Sequence, residues 1–200
     1  MNPPPLAPPI LKHGDFVISQ LPNILLYLGP KLGLAGDPQD EHAIYYINAL
    51  ALTVLDGLSN EAHDSHHPLA IGFFYDDQKE EAKRRSQDYV TNRIPKWLGY
   101  LERVLEGEAS KGGEWLYGGQ MTWADLVAWH GLDGVTHAFP KAMEAMRKSE
   151  KYTKVFQLHD RVSKVPEIKE YLGSERRMKY GNGIYRHYPE LDLQTEEVGK

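Results

Sequence analysis

The stretch Thr122-Trp123-Ala124-Asp125-Leu126-Val127-Ala128-Trp129-His130-Gly131-Leu132-Asp133-Gly134-Val135-Thr136-His137-Ala138-Phe139-Pro140 decides the fold. Thr122 followed three residues later by Asp125 is a helix-start signal. The hydroxyl can cap a first-turn N–H, and the carboxylate can reach back to the N–H of Thr122. Beyond it, Ala124, Leu126, Val127, Ala128, Trp129, Leu132, Val135, Ala138 and Phe139 put apolar groups on more than one side. A helix apolar nearly all round is enclosed by other helices. The pattern therefore predicts the buried central helix of an all-α domain, with Asp125 as a cap rather than an acid–base group.

Outward from this helix the chain alternates helical patterns and breakers. Pro140 restarts a helix to about Ser149, Tyr152–Lys164 forms another, and Pro166 begins a short one ending near Leu172. Upstream, Asp37-Pro38 predicts a helix start with acids in its first turn, as the helix dipole prefers. Its stripe is Ile44, Ile47, Leu50, Ala51, Val54, Leu55 and Leu58, close to ideal helical spacing. Residues 61–75 read as irregular. A third helix begins at Asp76 or Asp77 and turns toward the core through Val90, Ile94, Leu98, Leu101 and Leu105, with Pro95 as a kink. Gly107–Gly119 is a Gly-rich connection. The last 28 residues, with Tyr180, Tyr185 and Tyr188, read as a wrapping tail.

The N-terminal piece is different in kind. Residues 1–9 hold five of the thirteen prolines and should be extended. Ile10-Leu11 and Phe16-Val17-Ile18, split by a turn at Lys12–Asp15, predict a hairpin. From Leu21 the pattern is helical, with Pro22 in the first turn and Ile24, Leu25, Leu26 and Leu28 apolar. Pro30 and Gly33 end or bend this helix.

The totals set bounds. A chain of 200 residues can bury about 70% of its unfolded surface without staples. It has no cysteine, which rules out disulfides, thiolate metal sites and a cysteine nucleophile within the chain. With 23 Lys and Arg against 28 Asp and Glu, the net charge is −5, so no nucleic-acid partner is expected. The longest apolar run, Ile24–Leu28, is too short to span a bilayer, and no signal peptide is read at the start. No membrane partner and a cytoplasmic location are the expectations.

The Thr122-x-x-Asp125 start of a buried helix resembles the capping box in the C-terminal helical domain of cytosolic glutathione S-transferases. Residues 8–28 strengthen the resemblance. Pro8-Pro9-Ile10-Leu11, a turn, a strand and Gln20-Leu21-Pro22-Asn23-Ile24-Leu25-Leu26-Tyr27-Leu28 look like the second half of that family's thioredoxin-like domain. Gly118 to Asp125, Val165-Pro166-Glu167-Ile168 and Tyr171 resemble the helical domain. The blocks at 61–68 and 184–192 look like a microbial, fungal-like branch of the superfamily. The fold class implied is mainly α: an all-α C-terminal bundle (35–200) preceded by a partial thioredoxin-like α/β domain (1–34).

The resemblance implies a glutathione site and a function. Pro9 matches the cis-proline, Pro8 and Ile10 the backbone edge that pairs with glutathione, and Gln20 the residue holding its γ-glutamyl end. Leu21 stands where the family usually has Ser or Thr, although a helix start without a side-chain cap can itself receive a carboxylate. Asp56, Glu61, His63 and His67 are candidates for the cleft. The implied activity is conjugation of glutathione, as co-substrate, to an apolar electrophile in the complete form, as a homodimer. The βαβ unit that carries the family's catalytic Tyr, Ser or Cys has no counterpart here, so no catalytic residue is assigned. Two other readings stay open. One is a non-catalytic binding or scaffold module. The other is a metal site at His63, His66 and His67, with Glu61 and Asp64 beside them. No metal is expected, because consecutive His66-His67 cannot share one helix face and no distant His is a partner.

Overall fold

The structure is a computed structural model and describes residues 2–194. It opens with an antiparallel hairpin, β1 (Ile10–His13) and β2 (Phe16–Ser19), in the register Ile10 opposite Ser19 through His13 opposite Phe16. Gly14 sits in the turn with φ +60°, a conformation glycine enters without steric penalty. The Asn2 side chain spans the same end, donating to the Asp15 carbonyl at 2.5 Å and accepting from the Val17 N–H at 3.3 Å.

Helix α1 (Leu21–Lys31) follows directly, with Pro22 in its first turn. Its buried residues are Ile24 and Gly29, whereas Leu26 is exposed, so the inward stripe is narrower than the sequence predicts. The reason is the partner. Gly29 lies flat against the Trp123 indole, where a Cβ would overlap the ring, and the Trp123 N–H donates to the Leu34 carbonyl at 3.1 Å. Trp123 is thus the joint between the N-terminal piece and the bundle.

The second helix starts later than predicted. Helix α2 runs Ala43–Thr53, because the acids before it are used in turns. Asp37 Oδ1 accepts the Gln39 N–H at 2.9 Å and Asp40 Oδ1 the His42 N–H at 3.1 Å. Such side-chain-to-backbone bonds hold the chain out of the helix. The helical rod then extends further than predicted, through a π-helical turn at Val54–Ser59 into α3 (Asn60–Asp64). Glu61 and His63 therefore sit on a helix and not in a loop.

After a 3₁₀ turn at Tyr75–Gln78 come α4 (Lys79–Asp88), a second π-helical turn at Tyr89–Arg93 and α5 (Ile94–Glu106). Pro95 lacks the N–H that would continue the ladder, and the backbone relaxes in the turn just before it. The two π turns are joined where the buried Tyr89 hydroxyl donates to the Leu58 carbonyl at 2.7 Å.

Central helix α6 (Trp123–Ala138) buries Trp123, Ala124, Val127, Ala128, Leu132, Val135 and Ala138, and packs on the α2 rod and on α8. Its capping box forms. Asp125 Oδ2 accepts the Thr122 N–H at 2.7 Å and the Thr122 hydroxyl at 2.8 Å, while Oδ1 accepts the Leu116 N–H at 2.8 Å. Both residues are fully buried. Helices α7 (Pro140–Lys148), α8 (Thr153–Val162) and α9 (Pro166–Leu172) begin and end close to their predicted bounds.

The tail wraps back over the bundle. Tyr185 packs on Gly134 of α6 and donates to Ser59 Oγ at 2.7 Å. Asp192 accepts the Lys141 and Ala142 N–H groups at 2.8 and 3.1 Å, capping α7 from a distance. Among the described residues no helix is long and apolar enough to cross a membrane.

Candidate functional site

The hairpin register gathers the N-terminal candidates. Ile10 faces Ser19, which places Pro8, Pro9 and Ile10 beside Gln20 and Leu21 at the open end of the hairpin. The Pro8–Pro9 peptide bond is cis. Gln20 precedes α1 with φ +73°, and its carbonyl accepts the first helical bond, from Ile24 at 2.9 Å. No side chain caps the first turn, and Leu21 at its start is 39% exposed. The outer edge of β1 has no strand beside it among the described residues. This end of the molecule offers backbone donors and acceptors and no titratable side chain among these five residues.

A second cluster lies at the end of the α2–α3 rod. Asp56, in the π turn, points to solvent. Glu61 is held by the bundle: it accepts Arg93 Nε and an Arg93 terminal nitrogen at 2.8 and 2.5 Å, and Trp97 Nε1 at 3.2 Å. Burial pushes the Glu61 carboxyl up, but the Arg93 and Trp97 bonds outweigh it and hold it below the usual carboxylate range.

The structure corrects one argument made from sequence. His66 and His67 do not follow a helix face, because α3 ends at Asp64 and the chain folds around His63. The His66 and His67 N–H groups both donate to the His63 carbonyl at 3.1 Å. The His66 and His67 rings meet edge to face at 86°, and His63 stacks on His67 with 5.4 Å between centroids. One nitrogen of each ring lies within 4.8 Å of the others. His66 is 1% and His67 8% exposed. His66 Nε2 meets the Ile184 carbonyl of the tail at 2.8 Å. Burial drives His66 down to about 4, with the neighbouring rings and Arg186 acting the same way against the Ile184 bond. His66 is therefore neutral near pH 7.

Beyond this cluster lies a cavity of about 630 Å³ lined by His67, Phe73, Phe74, Tyr75, Arg186 and Tyr188, among others. Tyr75 and Tyr188 stack with centroids 3.8 Å apart, and the Tyr75 hydroxyl donates to Glu190 at 3.1 Å.

Sequence reasoning missed several partners that the fold supplies. Arg93 and Trp97 lie on the next helical rod from Glu61. Asp133 accepts from the Tyr180 hydroxyl at 2.7 Å and from Arg177 at 3.1 Å, with His159 Nε2 at 3.7 Å. Each had only its residue type as a signal, and residue type alone does not pair distant positions.

A mainly helical bundle, entered through a hairpin and one helix and organised by a buried Thr-x-x-Asp cap, defines the class. Within it, the family model described as "Glutathione S-transferase, C-terminal domain" matches residues 63–175, more than half of the chain. The chain belongs to the glutathione S-transferase superfamily. It is similar to the glutathione S-transferase of Plasmodium falciparum, at 22% identity over 176 residues, covering 86% of this chain and 72% of that one. Similarity extends to hematopoietic prostaglandin D synthase of Gallus gallus, at 26% identity over 161 residues, 80% of this chain and 68% of the relative. Among solved structures, the Pi-class glutathione S-transferase of Onchocerca volvulus shares the fold with a TM-score of 0.59 at 23% identity, covering 80% of this chain and 66% of that one.

Proposed function

We propose that the chain is a glutathione S-transferase-like protein that binds glutathione as co-substrate and conjugates it to an apolar electrophile. Residues 1–34 hold glutathione and residues 35–200 provide the acceptor side. The observation that carries this reading, in a chain of this family, is the juxtaposition of the free β1 edge with the uncapped start of α1. The edge at Pro8–Ile10 can pair with a peptide backbone as an added strand would. Gln20 and the open N–H groups of α1 can take the γ-glutamyl end, since a helix N-terminus favours a carboxylate. The apolar acceptor lies in the cavity beyond the α2–α3 rod, against Phe73, Phe74 and Tyr188, with His67 lining it and Asp56, Glu61 and His63 on the rod.

A homodimer belongs to the same reading. The outer edge of β2 has no strand beside it among the described residues, and Phe16 on that strand is 44% exposed, a surface suited to pairing that leaves the β1 edge to glutathione. So does the cytoplasm, where the glutathione pool is kept reduced.

Leu21 favours a second reading, a non-catalytic binding module, because it brings no hydroxyl to the helix start. Calorimetric titration of glutathione into the 200-residue chain separates the two. Saturable binding at one site per chain is expected, and Gln20→Ala should weaken it. A folded protein that gives no binding heat overturns the transferase reading in favour of the module.

A further inference from the structure

The three imidazoles at the end of the α2–α3 rod have no role in the reading above that requires them to meet. We propose that His63, His66 and His67 form a binding site for a zinc-class divalent ion. Three neutral imidazoles are a donor set that zinc and its neighbours take, with a further position left for water or another ligand.

The geometry supplies the features such a site needs. A tetrahedral ion about 2.0–2.1 Å from each nitrogen holds its donors about 3.3 Å apart. The donor nitrogens here lie within 4.8 Å of one another, and the His66–His67 Nδ1 pair is closer than that spacing. The 4.8 Å outer limit and the closer Nδ1 pair lie on either side of the required distance.

Tautomers point the same way. His66 Nε2 faces the Ile184 carbonyl, which can only accept, so the proton of neutral His66 is on Nε2. Its Nδ1 lone pair is then bare and aimed at His67 Nδ1. A proton on His67 Nδ1 fills that gap when no ion is present, and an ion takes its place. A ligand imidazole that donates its other N–H to a backbone carbonyl is the usual second-sphere arrangement of metal sites. His63 has a carboxylate nearby as well, with Nδ1 3.7 Å from Asp64 Oδ1.

Charge and access are compatible with an ion. Two cations line the adjoining cavity with His67: Arg186, whose guanidinium is tied to the Gly183 and Asn182 carbonyls at 3.1 and 2.8 Å, and Lys79, paired with Glu190 at 2.9 Å. Asp64 offers a compensating charge. His67 lines the adjoining cavity, so the ion enters from that side. Because His66 holds the Ile184 carbonyl, the ion would also fix the tail against the rod.

The experiment uses the tag-free 200-residue chain, stripped with a chelator, dialysed and titrated with Zn²⁺ by calorimetry and with Co²⁺ by visible absorption. One ion per chain is expected, with Co²⁺ giving the intense bands of a four-coordinate nitrogen site and Zn²⁺ raising the melting temperature. His63→Gln and His67→Gln should each weaken Zn²⁺ by more than the roughly 10–100-fold seen when only an orienting partner is lost. His67→Cys should restore tight binding, because a thiolate is also a zinc ligand; this rescue separates lost ligation from lost folding. Absence of stoichiometric uptake by the folded chain overturns the proposal. So does uptake that survives unchanged in both Gln variants, which would place the ion on other histidines.

Discussion

Asp125→Ala tests the account of the bundle at its centre. The carboxylate accepts the Leu116 and Thr122 N–H groups and the Thr122 hydroxyl at 2.7–2.8 Å, with both Asp125 and Thr122 fully buried. Truncation leaves two buried N–H groups without acceptors, at about 1–3 kcal/mol each. Against this, the carboxylate no longer has to be buried, a term large enough to push its carboxyl above the ordinary range despite the Leu116 and Thr122 donors. The balance is a loss of about 3 kcal/mol. At about 2–4 °C per kcal/mol for a chain this long, the melting temperature falls by about 6–12 °C. Asp125→Asn keeps one acceptor oxygen and should cost less than Asp125→Ala. Thr122→Ala should cost about 1 kcal/mol, as for an ordinary cap. Because the two residues share their bonds, the double variant should be less damaging than the sum of the singles by about 0.5–3 kcal/mol. Urea titrations followed by the fluorescence of the neighbouring Trp123 measure all four. A loss below about 1 kcal/mol for Asp125→Ala, or strict additivity, would show that this carboxylate only caps a helix and does not anchor the loop at Leu116.

Two further perturbations test the packing around this centre. His159 and the Tyr180 hydroxyl, with Arg177, hold the Asp133 carboxyl down to about 2 against its burial. Its folded value lies below the unfolded one, so its contribution is fully present above about pH 4 and is lost as pH falls toward 2. Asp133→Asn should therefore flatten the acid limb of urea stability by at most about 2 kcal/mol, a ceiling lowered by the 31% exposure of this side chain; an unchanged acid limb refutes the assignment. Gly29→Ala places a Cβ in the Trp123 indole, and overpacking of this kind costs about 1–3 kcal/mol. A thermal melt identical to the parent's would show that Trp123 is not the joint between the N-terminal piece and the bundle.

What was legible in the sequence was what short-range chemistry decides. The Thr122–Asp125 box, the proline starts of α7 and α9, and the stripe from Ile47 to Leu58 each carry their signal within one or two turns of helix. The misplaced start of α2 was also local, but two local rules competed there. Acids before a helix can serve its dipole or close their own turns, and at Asp37 and Asp40 the turns won. The π turn at Val54–Ser59 had no local signal, and its Leu58 carbonyl is taken by the Tyr89 hydroxyl thirty-one positions on, whereas the one at Tyr89–Arg93 precedes the Pro95 kink the sequence did announce.

The candidate sites divide along the same line. The residues proposed for the glutathione side came from the family resemblance, and a hairpin register and a following helix bring Pro8–Ile10 beside Gln20 without long-range help. Glu61 was a candidate for the cleft, and nothing in the sequence pointed to Arg93 and Trp97, thirty-two and thirty-six positions away, which engage it from the turn before α5 and from α5 itself. The histidines are the most instructive case. All three fall within five residues, yet the objection that neighbours cannot share a helix face, raised for a segment read as irregular, bears only on a continuing helix. Helix α3 stops at Asp64, the His66 and His67 amides turn back to the His63 carbonyl, and a tail residue more than a hundred positions on fixes the proton of His66. A helix end, not a helix face, is what turns consecutive imidazoles toward one point, and that end is set by tertiary packing of the tail as much as by residues 60–67.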